Sequence, residues 1–266
     1  MDFQLSRQIA PNLTFVTETG STNADLVANS ANTDTFAVLV AGYQSAGRGR
    51  AGRDWLAPAG SSLFVSVLLK PAGISATRFS WLPLMAGLAM TRTVAELAPN
   101  ADVSLKWPND VLVGGNKISG VLSELIPDLT GVVIGTGLNI RQSRSELPIE
   151  AATSLALEGS GQLELDEVLA VYLRNLRDLY ETWLEAKGDA ILSGLRHAVL
   201  AACSTVGAAQ TYRENINTVR AILPADNEVV GAAIGIDDSG RLIVQPSGTK
   251  DLVAVAAGDI VHLRHN

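Results

Sequence analysis

Two short runs gather the residue types that chemistry on anions requires. Between Gln44 and Trp55 the chain reads GRGRAGR, Gly47 to Arg53, with three arginines interleaved with three glycines. Glycine lets backbone N–H groups approach an anion, and guanidinium offers paired donors to phosphate or carboxylate. A solvated Arg/Gly loop or an RGG-like nucleic-acid segment has the same composition, although a position between two β-rich runs argues against a disordered tail. The second run, KWPND (Lys106 to Asp110), places an ammonium, an aromatic, an amide and a carboxylate on one short segment. Pro108 stiffens it by holding Trp107 extended. A strand end with a buried tryptophan is the plainer account of that run.

One further residue and one three-residue run are chemically suggestive. Lys117 lies among Ile118, Gly120 and Leu122 in a strand-like run, where a lysine must either reach solvent or meet an anion. Ser21, Thr22 and Asn23 are good helix caps and equally good partners for a polar ligand head.

The elements that must position these residues alternate between strand and helix. Phe36 to Tyr43 and Ser62 to Lys70 are β-rich runs bounded by Gly, Pro and Ser. Trp81 to Ala98 has helical spacing at Leu84, Leu88, Thr91 and Ala95, with Pro83 suited to a first turn. Lys117 to Leu125 and Gly131 to Ile140 are further strands. In the second, Val133, Gly135, Gly137 and Asn139 share a face, and glycines on a sheet face mark the close approach of a backbone or a ligand. Residues 141–162 form a polar stretch expected to be mobile in part, and a long helix follows from Leu165 to Ala186. Beyond Cys203 the texture changes to short strands, with a hairpin across Asp237 to Gly240. The expected boundary lies near residue 204, giving domains 1–204 and 205–266.

Composition narrows the classes. The chain has 266 residues, 47% hydrophobic and 18% charged, which suits a globular main domain plus a smaller one. A single cysteine, Cys203, cannot form an intrachain disulfide and fits a reducing compartment. His197, His262 and His265 lack metal-ligand spacing, so no built-in metal site is expected. No signal peptide and no membrane span are visible, so a cytoplasmic protein is expected. The net charge of −7 disfavours electrostatic DNA binding as the main task.

The order of the motifs is more specific than any one of them. STNADL, YQSAGRGRAGRDW, KWPNDVL, NKISGVLSEL and VIGTGLNI, spread over residues 17–140, resemble the successive motifs of biotin–protein ligases. The β-rich tail is similar to that family's C-terminal domain. The resemblance implies an α+β fold: a mixed β-sheet with helices on one side, of class II synthetase type, followed by a small SH3-like β-barrel.

It also implies roles. Ser21, Thr22, Asn23 and Gln44 match the residues that hold the biotin ureido ring. The loop containing Gly47, Arg48, Gly49 and Arg50 closes over biotin and phosphate, with Arg53 and Trp55 in support, and loss of Arg48 would let the adenylate leak. Lys117 matches the lysine at the reacting carboxylate and phosphate. Asn139 matches the asparagine at adenine, Lys106 and Asn109 belong with the ATP-binding set, and Arg264 corresponds to a C-terminal arginine that closes over the nucleotide. Because STN begins at residue 21, no room is expected for the N-terminal DNA-binding domain that some members carry.

The implied chemistry is activation of biotin by ATP to biotinyl-5′-AMP, with Mg²⁺ carried by the triphosphate, and then transfer to a lysine of a carboxylase's biotin carboxyl carrier domain. Asp110 is the candidate to orient or deprotonate that lysine. No Ser-His-Asp or Cys-His nucleophile is evident, so no covalent enzyme intermediate is expected. The rivals are a lipoate or octanoate transferase of related fold, a nucleic-acid-binding protein and a biotin-sensing regulator. DNA and membranes are not expected partners.

Overall fold

The computed structural model describes residues 2–206, 217–223 and 227–263, so Arg264 lies outside the described residues. The main sheet has seven strands: β1 (Leu13–Val16), β2 (Ala37–Ala41), β3 (Ser62–Leu69), β4 (Val103–Lys106), β5 (Asp110–Val113), β6 (Asn116–Leu125) and β7 (Val132–Asn139). Their spatial order is β1-β2-β3-β7-β6-β5-β4. The edge pair β1 and β2 is parallel and every other pairing is antiparallel, so the sheet is mixed.

The central strands read as continuous apolar runs because both of their faces are covered. One face carries α3 (Trp81–Leu97) and α4 (Leu165–Glu185), with α1 (Gln4–Ile9) and α5 (Leu195–Ala202) alongside. The short α2 (Thr22–Asn29) packs on the other, burying Leu26 against Ala37, Leu39, Leu68 and Val133. Helix α3 is buried almost all round, as its apolar sequence requires, whereas α4 turns Leu169, Tyr172, Leu173 and Leu176 inward. Tyr172 meets Thr136 on β7 at 2.9 Å between hydroxyl oxygens, which satisfies two buried polar groups at once.

The second sheet is antiparallel throughout: β8 (Thr218–Ile222), β9 (Glu228–Ile236), β10 (Leu242–Pro246), β11 (Val253–Val255) and β12 (Asp259–Leu263), in the order β11-β10-β9-β8-β12. It is fastened to the first through main-chain carbonyls. Trp81 Nε1 donates to Asp238 O at 2.8 Å, Trp107 Nε1 to Gly240 O at 3.0 Å and Arg196 Nε to Ile236 O at 2.8 Å. Inward residues such as Val219, Ile236, Leu242 and Val244 join the same apolar core as the main sheet. Trp107 of the KWPND run therefore has a packing role. No helix among the described residues is long and apolar enough to cross a membrane.

Candidate functional site

The site lies on the α2 face of the sheet. Ser21 is the N-cap of α2, with its hydroxyl accepting from Ala24 N, so the residues that start the helix also line its polar end. Gln44 Oε1 accepts from both Thr22 N (2.8 Å) and Thr22 Oγ1 (3.0 Å). Ser66, on β3, donates to Thr22 Oγ1 or Asn23 Oδ1, each 2.7 Å away. Asn23 Nδ2 donates to Leu122 O and Glu124 Oε2. Four buried polar side chains thus hold one another in fixed orientations. Gly135 makes room for them: a Cβ there would sit 2.2 Å from Asn23 Oδ1.

The GRGRAGR run folds back on itself. Trp55 N donates to Gly47 O at 2.9 Å and Gly49 N to Arg53 O at 2.6 Å, with Ala51 and Gly52 in left-handed conformation at the tip. Gly47 is required by packing, because a Cβ would lie 2.4 Å from Trp55 O. The Trp55 indole then lies against Gly137, where a Cβ would come within 2.5 Å of the ring. The two glycines of β7 are therefore the seats of Asn23 and Trp55.

The three arginines differ. Arg50 is half-buried and anchored, donating to Asn109 Oδ1 at 3.0 Å and Gly258 O at 3.3 Å, and burial lowers its pKa. Arg53 pairs with Asp259 of β12 at 2.9 Å. Arg48 is exposed and has no side-chain hydrogen bond or ion pair to the described residues. The loop is thus tied to the second sheet by two of its arginines.

KWPND forms the tight connection between β4 and β5, with Lys106 paired to Asp110 across the strands. Asn109 is fastened to Val121, its Nδ2 donating to Val121 O at 2.8 Å while its own carbonyl accepts from Val121 N. Lys117 does not reach for bulk solvent. Its Nζ lies 2.6 Å from Asp110 Oδ1 and 5.4 Å from the Trp55 ring centroid, a cation–π arrangement. Lys106 is half-buried beside these charges, and burial is the main cause of its lowered pKa.

At the far end Asn139 closes β7. Its Nδ2 donates to Thr153 O at 2.9 Å and its Oδ1 accepts from Gln142 Nε2 at 3.1 Å. The polar segment after it is laid along the start of β6. Lys117 N donates to Ala151 O and Thr153 N to Lys117 O, while Arg144 donates to the carbonyls of Glu150 and Ala152.

These parts enclose one cavity of about 330 Å³. Ser21, Thr22, Asn23 and Gln44 line one end, and Arg48, Gly49, Arg50, Arg53, Trp55, Asn109 and Lys117 the middle. Asn139 lies with Pro148, Ile149 and Ala152 at the other. Of the residues singled out from sequence, Gly47, Lys106 and Asp110 do not line this cavity, although Asp110 is paired with Lys117, which does. Ser66, Glu124, Gln142 and Ile149 were not singled out. Ser66 alone left a trace, as a polar residue at the centre of an apolar strand.

Residues 14–139 match the biotin/lipoate A/B protein ligase family, and residues 218–263 match the biotin protein ligase C terminal domain. The biotin–[acetyl-CoA-carboxylase] ligase of Mycobacterium tuberculosis is 38% identical over 256 residues, covering 95% of this chain and 89% of that protein. The chain belongs to the biotin–protein ligase family. The bifunctional ligase/repressor BirA of Escherichia coli is 28% identical over 232 residues, 86% of this chain and 67% of its own length. Among solved structures, the biotin protein ligase from Aquifex aeolicus in complex with biotin and ATP superposes with a TM-score of 0.76 at 26% identity, covering 96% of this chain and 99% of that one. The two-sheet architecture of this biotin–protein ligase family member is therefore matched across nearly its whole length.

Proposed function

We propose that this chain activates biotin with ATP to biotinyl-5′-AMP and transfers the biotinyl group to a lysine of a biotin carboxyl carrier domain. The observation that carries the reading is the single cavity joining a preorganised polar end to a cationic middle beneath a glycine-rich loop. The Ser21, Thr22, Asn23 and Gln44 cluster offers donors and acceptors suited to a ureido ring. Arg48, Arg50 and Lys117 supply positive charge where a carboxylate must meet an α-phosphate, two anions that otherwise repel. Asn139 stands at the adenine. The loop of residues 47–55 shields the mixed anhydride from water.

Mg²⁺ enters bound to the triphosphate and offsets its charge. In the second step Asp110 orients the acceptor amine and takes up its proton as AMP leaves. The catalytic unit is residues 1–204 and the smaller unit 205–266. The protein works in the cytoplasm, where the thiol of buried Cys203 stays reduced, and it acts without DNA.

The test is mass spectrometry of a carrier domain incubated with the protein, biotin and MgATP. A mass increase of one biotinyl group on the acceptor lysine is expected. Pyrophosphate should be released from biotin and MgATP without any acceptor, with little release when lipoate replaces biotin, and lipoate-dependent release without a response to biotin refutes the reading.

A further inference from the structure

The orientation of Asn139 is set by an atom that can only accept. The Thr153 carbonyl takes a hydrogen bond from Asn139 Nδ2 at 2.9 Å, so the Oδ1 end must face the other way. There it meets Gln142 Nε2 at 3.1 Å. Turning Gln142 around would set its Oε1 against Asn139 Oδ1, acceptor against acceptor. The same Nε2 also donates to Ser62 Oγ at 2.6 Å, and the Gln142 carbonyl accepts from Ser154 Oγ at 2.7 Å. Gln142 is 1% exposed, and Oε1 has no partner in the described protein. Its Nε2 donors are thus committed to holding Asn139 and the strand end beneath it.

We propose that Gln142 is a positioning residue that fixes the Asn139 amide for recognition of adenine, an inference that rests on the adenylate-forming function above. Asn139 lines the cavity with one N–H and one Oδ1 lone pair uncommitted. An amide presenting a donor beside an acceptor complements the N7 and 6-amino edge of adenine. Guanine shows two acceptors on that edge, N7 and O6, so one of the two bonds becomes a repulsion. The selection works only while the amide cannot rotate end for end. Gln142 opposes that rotation together with the Thr153 carbonyl, and it does so without touching the nucleotide.

The experiment measures biotin-dependent pyrophosphate release by the full chain with ATP and with GTP, for wild type, Gln142→Met, Gln142→Glu and Ser62→Ala. Gln142→Met keeps the volume and removes the donor. It should raise KM for ATP about tenfold, leave kcat and KM for biotin near wild type, and lower the preference for ATP over GTP by about the same factor. Gln142→Glu should do more, because its carboxylate faces Asn139 Oδ1. Ser62→Ala, the mildest change, should give a smaller rise of the same kind and serves if the others do not fold. Unchanged ATP preference in any folded variant overturns the proposal. So does a uniform rise in both KM values accompanied by a lower melting temperature, which marks a purely structural role. A wild-type protein that releases no pyrophosphate strikes the ligase reading first and this inference with it.

Discussion

Lys117 on β6 and Asp110 at the start of β5 meet at 2.6 Å, with the Trp55 ring packed over the same ammonium. The scaffold thus holds this cation in place by two neighbours on separate elements, and little reorganisation is needed when charge develops beside it. Lys117→Ala is expected to slow formation of biotinyl-AMP by on the order of 10²–10³ while the protein still folds. Single-turnover kinetics read this directly, and a wild-type rate excludes the role. Asp110→Asn should spare adenylate formation relative to transfer, because a neutral amide cannot take the acceptor's proton. Equal losses in both steps would mean that Asp110 only positions Lys117.

The glycines of β7 test the opposite wall. Gly135→Ala would put a Cβ 2.2 Å from Asn23 Oδ1, and Gly137→Ala one 2.5 Å from the Trp55 indole. Neither contact can persist, so Asn23 or Trp55 must move. A shift of about 1 Å at a positioning group can cost roughly 10²-fold. Gly135→Ala should act mainly on biotin affinity and Gly137→Ala on adenylate formation, both with the fold retained. Biotin titration calorimetry and pyrophosphate release separate the two, and near-wild-type biotin affinity in Gly135→Ala counts against the proposed ureido pocket.

Much of this arrangement was legible in the sequence because it is local. The alternation in GVVIGTGLNI places both glycines on the site face, and Ser21 caps α2 as its side chain suggests. Both positions are fixed by periodicity or by a first turn. What the sequence hides is set by distant partners. Nothing in GRGRAGR says that Arg50, rather than Arg48, is anchored by Asn109 and by a carbonyl 208 residues away. Gln142 sits in a polar stretch without periodicity and becomes distinct only when Thr153 folds back beside Asn139. The tryptophan of KWPND shows the reverse case, since its fastening to Gly240 O is the plain packing role that residue type alone favours.

The second sheet carries a titratable seam. His262 on β12 lies with Nε2 3.3 Å from Thr205 Oγ1, and that oxygen also accepts from Trp107 N. Burial lowers the pKa of His262, and nearby Lys106 lowers it further. The unfolded chain therefore binds a proton that the folded one resists in the window between the depressed folded value and the ordinary value near 6.5. In that window stability rises with pH, so it should fall as pH drops below about 6.5. Denaturant midpoints across that range, for wild type and His262→Gln, give the check. The slope attributable to this residue should vanish in the variant, and an unchanged slope means that other groups govern the acid limb.

Retention of the adenylate should depend on Arg50 more than on Arg48. The expectation from the motif alone assigns closure to Arg48, which is exposed and contributes charge without holding the loop. Arg50 bridges the loop to Asn109 and to Gly258 O, so its loss frees the loop from the KWPND turn and leaves the exposed Arg53–Asp259 pair as its side-chain tie to the second sheet. A hydrogen bond to a charged group is worth about 1.5–3 kcal/mol, and each 1.4 kcal/mol is a factor of ten. Arg50→Ala is therefore expected to speed escape of biotinyl-AMP by about tenfold or more. Arg48→Ala should weaken retention less and show its loss in adenylate formation. Rapid filtration after a single turnover, with radiolabelled ATP, measures the adenylate remaining on each protein. Retention in Arg50→Ala equal to wild type would show that the loop closes without its anchor, and greater leakage from Arg48→Ala would return the lid to the residue that the motif alone favours.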